Sequence, residues 1–144
     1  MHVKVLNEQV ITRAKRCGLD VLVYAPHFRR WPTIRERAER FSDDELLIVP
    51  ARELFTGTWR TRKHLLALGL SAPIPDFLTL EGTVAELRRQ TAIIAVPHPE
   101  FLNVSLDRDE ITQREDVVAT VETHNAKLLP QQNRRCRDVA THVE

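Results

Sequence analysis

Short apolar bursts alternate with helix-period stretches along the whole chain. Residues 3–5 read as a brief opening strand. Val10, Ile11, Ala14 and Cys17 then share one face of a helix that Gly18 closes, glycine tolerating the left-handed conformation a helix end often needs. Residues 19–25 are apolar apart from Asp20 and form a strand stopped by Pro26 and His27. Pro32 and Thr33 open a second helix carrying Ile34, Ala38 and Phe41. Residues 46–49 form a strand, 52–55 a strand tip, and Gly57 a turn. Residues 64–70 are the next strand, followed by a connector held by Pro73 and Pro75. Leu80, Val84 and Leu87 mark a third helix. Residues 92–96 form a strand ending in Pro97-His98-Pro99, 107–115 a polar helical stretch, and 117–121 a strand. Residues 132–143 place Cys136, Val139, Ala140 and Val143 on one helical face. Strands alternating with helices predict an α/β fold with mainly parallel strands, in one domain over residues 1–144.

Composition narrows this picture little. The chain has 144 residues, 42% hydrophobic and 28% charged, with a net charge of +1. That is enough apolar material for a core, and it gives no general attraction to nucleic acid or anionic lipid. The longest apolar runs are far below the roughly 20 residues of a membrane span. Cys17 and Cys136, both expected as buried free thiols, form no Cys-x-x-Cys pair; with no leader segment visible, a reducing cytoplasm is the expected setting.

The candidate chemistry lies where the strands end. His98 follows an apolar strand directly and stands between two prolines, each of which biases the residue before it toward extended backbone. A rigid imidazole there suits a metal ligand or a general base. A single histidine so placed is as readily a turn residue capping a carbonyl. His27 repeats the pattern at another strand end, which weakens that plainer alternative. Glu53 sits among Ala51, Leu54 and Phe55, and a carboxylate in apolar surroundings needs a partner, whether an arginine or a metal. His64 opens the run 65–70, and His2 stands at the opening of the first strand. Arginines cluster around the second helix and on the last. Arg29 and Arg30, directly after His27, are the two positioned to reach a phosphate.

The segment 18–27 (GLDVLVYAPH) resembles a strand leading into a Thr-Asp-His motif of the PHP (polymerase and histidinol phosphatase) family. Pro50-Ala51-Arg52-Glu53 resembles its Gly-x-Glu motif, residues 64–69 (HLLALG) its His-Leu-Leu-Gly strand, Val96-Pro97-His98-Pro99 its Ala-His-Pro motif, and Val121 to Asn125 a later strand. The resemblance covers nearly the whole chain. It implies a distorted seven-unit β/α barrel and a metal-dependent phosphoesterase using divalent zinc, manganese or iron. It also implies a bridging role for Glu53, a metal-ligand set of His2, His27, Glu53, His64 and His98, and catalytic roles for Glu53 and His98.

The departures are specific. Lys4 stands where the family's His-x-His motif has its second histidine, and an ammonium has no lone pair to give a metal. Pro26 replaces an aspartate. The closing Asp-x-His motif is absent, and His142, in an apparent helix, does not replace it. Seven units of roughly 30 residues need about 210, so an incomplete barrel is expected, with open sheet edges that invite self-association. The site is therefore expected to be depleted, holding one or two ions, with Lys4, Arg29 and Arg30 facing the phosphate of a small molecule or nucleotide. The alternative is a non-catalytic binding or assembly protein related to the PHP-like subunit of RNase P.

Overall fold

The computed structural model describes residues 2–141. The chain order is β1 (His2–Val3), α1 (Glu8–Arg16), β2 (Val21–Tyr24), α2 (Trp31–Phe41), β3 (Leu47–Thr56), β4 (Lys63–Leu68), α3 (Leu80–Arg89), β5 (Ile93–Val96), α4 (Arg108–Thr112), β6 (Val118–Val121) and α5 (Pro130–Ala140). His142 lies outside the described residues, as does the end of the last expected helix.

All six strands form one mixed, mostly parallel sheet in sequential order, and it is open rather than closed into a ring. A seventh unit is not among the described residues. β1 pairs with β2, β2 with β3 and β5 with β6 in parallel, while β4 runs antiparallel to both β3 and β5. The reversal corrects the simple alternation expected from the sequence. Its cause is the short loop 57–62: a parallel return needs a crossover of a dozen or more residues, and this loop is too short for anything but a hairpin. Gly57, at φ +73°, makes the turn; Thr58 and Thr61 brace it through their hydroxyls, 2.9 Å apart.

β3 is a second correction. The segments expected as a strand and a separate tip are one ten-residue strand running through Pro50. It changes partner there. Residues 47–50 pair with β2, and residues 51–56 pair with β4. A proline lacks the N–H of a full ladder position, and here it sits where the strand passes from one neighbour to the other.

The sheet's two faces differ. One carries Leu22, Tyr24, Ile48, Leu54, Leu65, Ile94 and Val96 into the main core, together with Ala14, Ile34, Ala38, Leu87, Ile111 and Val139 from the five helices. Fully burying one such leucine or isoleucine contributes roughly 1.5–3 kcal/mol. The other face carries a small cluster of Ala25, Ala51, Leu66 and Ala95, flanked by Val23 and Leu68. Three of those four buried residues are alanines, whose small side chains let larger groups pack over this part of the sheet. Alternation along β3 puts Glu53 and Phe55 on that same face. Cys136 is buried as expected, but Cys17 is exposed, because it lies at the C-cap of α1 and not within its packed face. Among the described residues no helix is long and apolar enough to cross a membrane.

Candidate metal centre

Glu53 is the centre of the alanine-lined face, its side chain fully buried. Register explains what meets it. In the β3–β4 hairpin Glu53 pairs with Leu66 and Phe55 with His64, so His64 projects on the same face. Because β4 is reversed, its beginning lies beside the ends of the parallel strands. His64 is thus at the start of its strand, and Glu53 is inside a strand, not beyond one. Phe55 and His64 stack with ring centroids 4.3 Å apart and planes 2° from parallel.

The two oxygens of Glu53 face different groups. Oε1 lies 3.1 Å from His64 Nδ1 and 3.3 Å from His98 Nε2. Oε2 lies 2.9 Å from Lys4 Nζ, 3.7 Å from His27 Nε2 and 3.9 Å from His2 Nε2. The four histidines expected as ligands therefore gather around the fifth expected ligand, the Glu53 carboxylate, with Lys4 beside them. Arg29 and Arg30 are both exposed, and among the described residues no hydrogen bond or ion pair joins either to the cluster.

His98 does not have the extended backbone its flanking prolines suggest. Its φ is +36°, in the region that side-chain-bearing residues rarely adopt. Three contacts around it hold this geometry: its N–H donates to Glu122 Oε2 at 2.7 Å, its Nδ1 meets Ser105 Oγ at 2.7 Å, and the Cys136 thiol donates to Pro99 O at 3.6 Å. Strain of this kind concentrates at functional sites.

Glu122 and Ser105 were not identified from the sequence as site residues. Glu122 lies just past β6, holds the His98 backbone, and approaches His2 Nδ1 at 3.6 Å through Oε1. The available signal was its place at a strand end, the same signal that marked His27 and His98. Ser105 is 1% exposed; its carbonyl accepts from Lys63 Nζ at 2.8 Å, and Lys63 also pairs with Glu110 of α4. Nothing local in the sequence marks this serine.

Burial by itself would raise the Glu53 carboxyl pKa, but close approach of His64 and His98 and the charges of His27 and Lys4 hold it far below the usual carboxylate range. Burial lowers His2 and His27 below the ordinary histidine value, against the opposing pull of nearby carboxylates. The tautomer of His27 follows from its partners. A carbonyl oxygen only accepts, so Nδ1, 3.3 Å from Glu53 O, carries the proton. Nε2 then has the lone pair, and Lys4 Nζ donates to it at 2.7 Å.

Glu53, His64 and His98, all buried, each offer one donor atom, and these atoms lie within 4.8 Å of one another. Tetrahedral ligands with bonds of about 2.0–2.1 Å stand roughly 3.3–3.4 Å apart, close to the two Glu53–histidine separations. The polar atoms around them support the fit. Both ring nitrogens of His64 are buried without a hydrogen bond of good geometry, whereas Glu53 Oε2, on the other side, has its ion pair with Lys4. Unsatisfied buried polar atoms are rare, and each calls for a reason. Two imidazoles and a carboxylate suit a divalent ion of the zinc, manganese or iron type. The rim adds exposed rings: Phe28, Trp59 and Phe77 surround Phe55, and Arg62 lies 4.4 Å over the Trp59 ring.

No family model matches the chain. No curated protein matches it. Among solved structures it is similar to a Bifidobacterium adolescentis protein provisionally named a metal-dependent phosphoesterase. The TM-score is 0.68 at 10% identity, covering 99% of this chain and 80% of that one. At that identity the likeness establishes the fold: a mixed α/β architecture shared over nearly the whole chain.

Proposed function

We propose that the chain is a metal-dependent phosphoesterase with a reduced metal site. The observation that carries this is the buried Glu53–His64–His98 triad on the open face of a phosphoesterase-like fold. Those three residues would hold a divalent ion of zinc, manganese or iron, with His2 and His27 lying on the far, Oε2 side of Glu53. The ion, when bound, would supply a Lewis acid that polarises a phosphoryl oxygen. The remaining work falls to the chain. Glu53 provides the fixed negative charge, and Phe55 holds the His64 ring edge-on to it. Ser105 fixes the His98 ring through Nδ1, leaving Nε2 to face the ion; such outer partners set ligand orientation and tautomer. Lys4, with 36% of its side chain exposed, is the cation on the open side of Glu53 and would neutralise a phosphate oxygen. Arg29 and Arg30 belong to the proposal only as groups reaching in from outside the cluster. The substrate class is a phosphorylated small molecule or nucleotide.

The test is metal content of purified chain by elemental analysis, with hydrolysis of p-nitrophenyl phosphate under added zinc, manganese or iron. Retained metal and turnover, both lost in Glu53→Gln and His98→Ala, support the reading. No metal after loading overturns it.

One observation favours a second reading, a non-catalytic binding or assembly protein. Lys4 already compensates Glu53, so the cluster has a cation of its own. Metal retention without turnover on any phosphate ester would favour it. Self-association would then run through the open sheet edges at β1 and β6, and a concentration-dependent mass in sedimentation would reveal it.

A further inference from the structure

Glu53 has two oxygens and two sets of neighbours. The Oε1 side is the drier: His64 and His98 have 10% of their side chains exposed, against 15% for His2, 23% for His27 and 36% for Lys4 on the Oε2 side. On the Oε2 side the Lys4 nitrogen occupies the space between a carboxylate oxygen at 2.9 Å and an imidazole lone pair at 2.7 Å. Those are the two donor types that bind a divalent ion, and they converge on one positively charged atom.

The placement is built into the fold. Lys4 directly follows β1, whose Val3 carbonyl accepts from Ala25 N at 2.8 Å. That parallel pairing sets Lys4 beside residues 25–27 and so beside His27. The tautomer of His27 agrees: Nδ1 is tied to the Glu53 carbonyl, so Nε2 can only accept. An ammonium and a divalent ion would repel strongly on the same oxygen at such range.

We infer that Lys4 is the resident cation of the Oε2 side, taking the place of a divalent ion between Glu53 and His27 and limiting the chain to the single ion of the Oε1 side. The single-ion count rests on the metal reading above, while the occupancy by Lys4 rests on contacts within the chain. Lys4 thus acts on ion number and not as a ligand. Replacing it by a side chain with a lone pair, or by none, opens the second position.

The experiment is zinc and manganese stoichiometry on the full chain by equilibrium dialysis and elemental analysis. Wild type is compared with Lys4→His and Lys4→Ala, and circular dichroism checks that each is folded. The expected result is one ion in wild type and two in Lys4→His, with Lys4→Ala binding a second ion at least tenfold more weakly than Lys4→His. Two ions in wild type, or one in wild type and one in both variants, would overturn the inference and leave the metal reading standing. No ion in wild type but one in a variant would overturn the metal reading and support Lys4 as the occupant. No ion in any of the three would overturn both.

Discussion

The β1–β2 side and the β3–β4–β5 side of the site supply the same kinds of side chain and treat them differently. The first brings His2, Lys4 and His27 on short parallel strands and their following loops, and leaves them partly exposed. The second brings Glu53 and His64 through a six-pair hairpin register and His98 through a strained loop pinned by Glu122 and Ser105. Two imidazoles and a carboxylate are found together where the side chains are most buried; the ammonium is found on the more exposed side. The lesson is that the hairpin register and the pinned loop hold Glu53, His64 and His98 in a buried arrangement, while the groups brought by β1 and β2 stay nearer to water.

Substituting Glu53 tests that comparison most severely. Glu53→Ala leaves several positive or donor groups facing one another. Breaking a buried ion pair by removing one partner costs about 3–5 kcal/mol, so urea unfolding of the metal-free protein should show a loss of that size, with metal retention abolished. Lys4→Ala should cost less, since the ammonium is partly open to water and the histidines around Glu53 remain in place. Equal losses from the two substitutions would erase the distinction between the sides.

Next in size is the ligand contrast. His64→Ala or His98→Ala should lower zinc affinity by at least a hundredfold, whereas His27→Ala should change it less than tenfold, because the His27 lone pair is already taken by Lys4. Competition against a chromogenic chelator reads both. A larger effect from His27 would relocate the ion to the Oε2 side.

Ser105→Ala should cost 10–100-fold in metal affinity, the range typical when an outer partner of a ligating histidine is removed, without moving the unfolding midpoint of the metal-free protein by more than about 1–2 kcal/mol for one lost buried hydrogen bond. Unchanged affinity would mean that the backbone bond to Glu122 alone orients His98.

The smallest effect expected is on pH. His2, His27 and Glu53 all have folded-state values below their ordinary ones. For each, the unfolded chain binds more protons in the window between the two values, so stability rises with pH there. The metal-free protein should therefore begin to lose stability as pH falls below about 6.5, where the histidines of the unfolded chain take up protons, and lose more below about 4.5, where the unfolded Glu53 carboxylate is neutralised by protonation. Urea midpoints at pH 7.5, 6 and 4.5 measure this. The His2→Gln, His27→Gln double variant should flatten the upper arm only; a flat profile in wild type would contradict the burial of the two rings.

Periodicity made the elements legible, because burial on one face writes itself into local spacing. Residues 93–96 and 118–121, for example, lie inside strands expected from apolar content alone. Strand direction is not local, so the reversal of β4 went unseen, although the shortness of loop 57–62 contained it. The candidate ligands were legible because histidine and glutamate are conspicuous beside apolar runs. Arg29 and Arg30 show the limit of sequence adjacency: they follow His27 directly, yet both are exposed, and Phe28 between them and His27 has a φ of +51°. Ser105 was invisible since a buried serine differs from a surface one only by what surrounds it.

The Phe55–His64 stack has a spectroscopic consequence. A proton above the face of an aromatic ring is shielded by the ring current, and the His64 ring lies almost flat over Phe55 at 4.3 Å. The carbon-bound protons of His64 should therefore resonate upfield of those of the other histidines and fall back toward them in Phe55→Leu. The site would then report its own occupancy: zinc added stepwise should move or broaden that shielded pair first, giving a direct view of the carboxylate's drier side without any substrate.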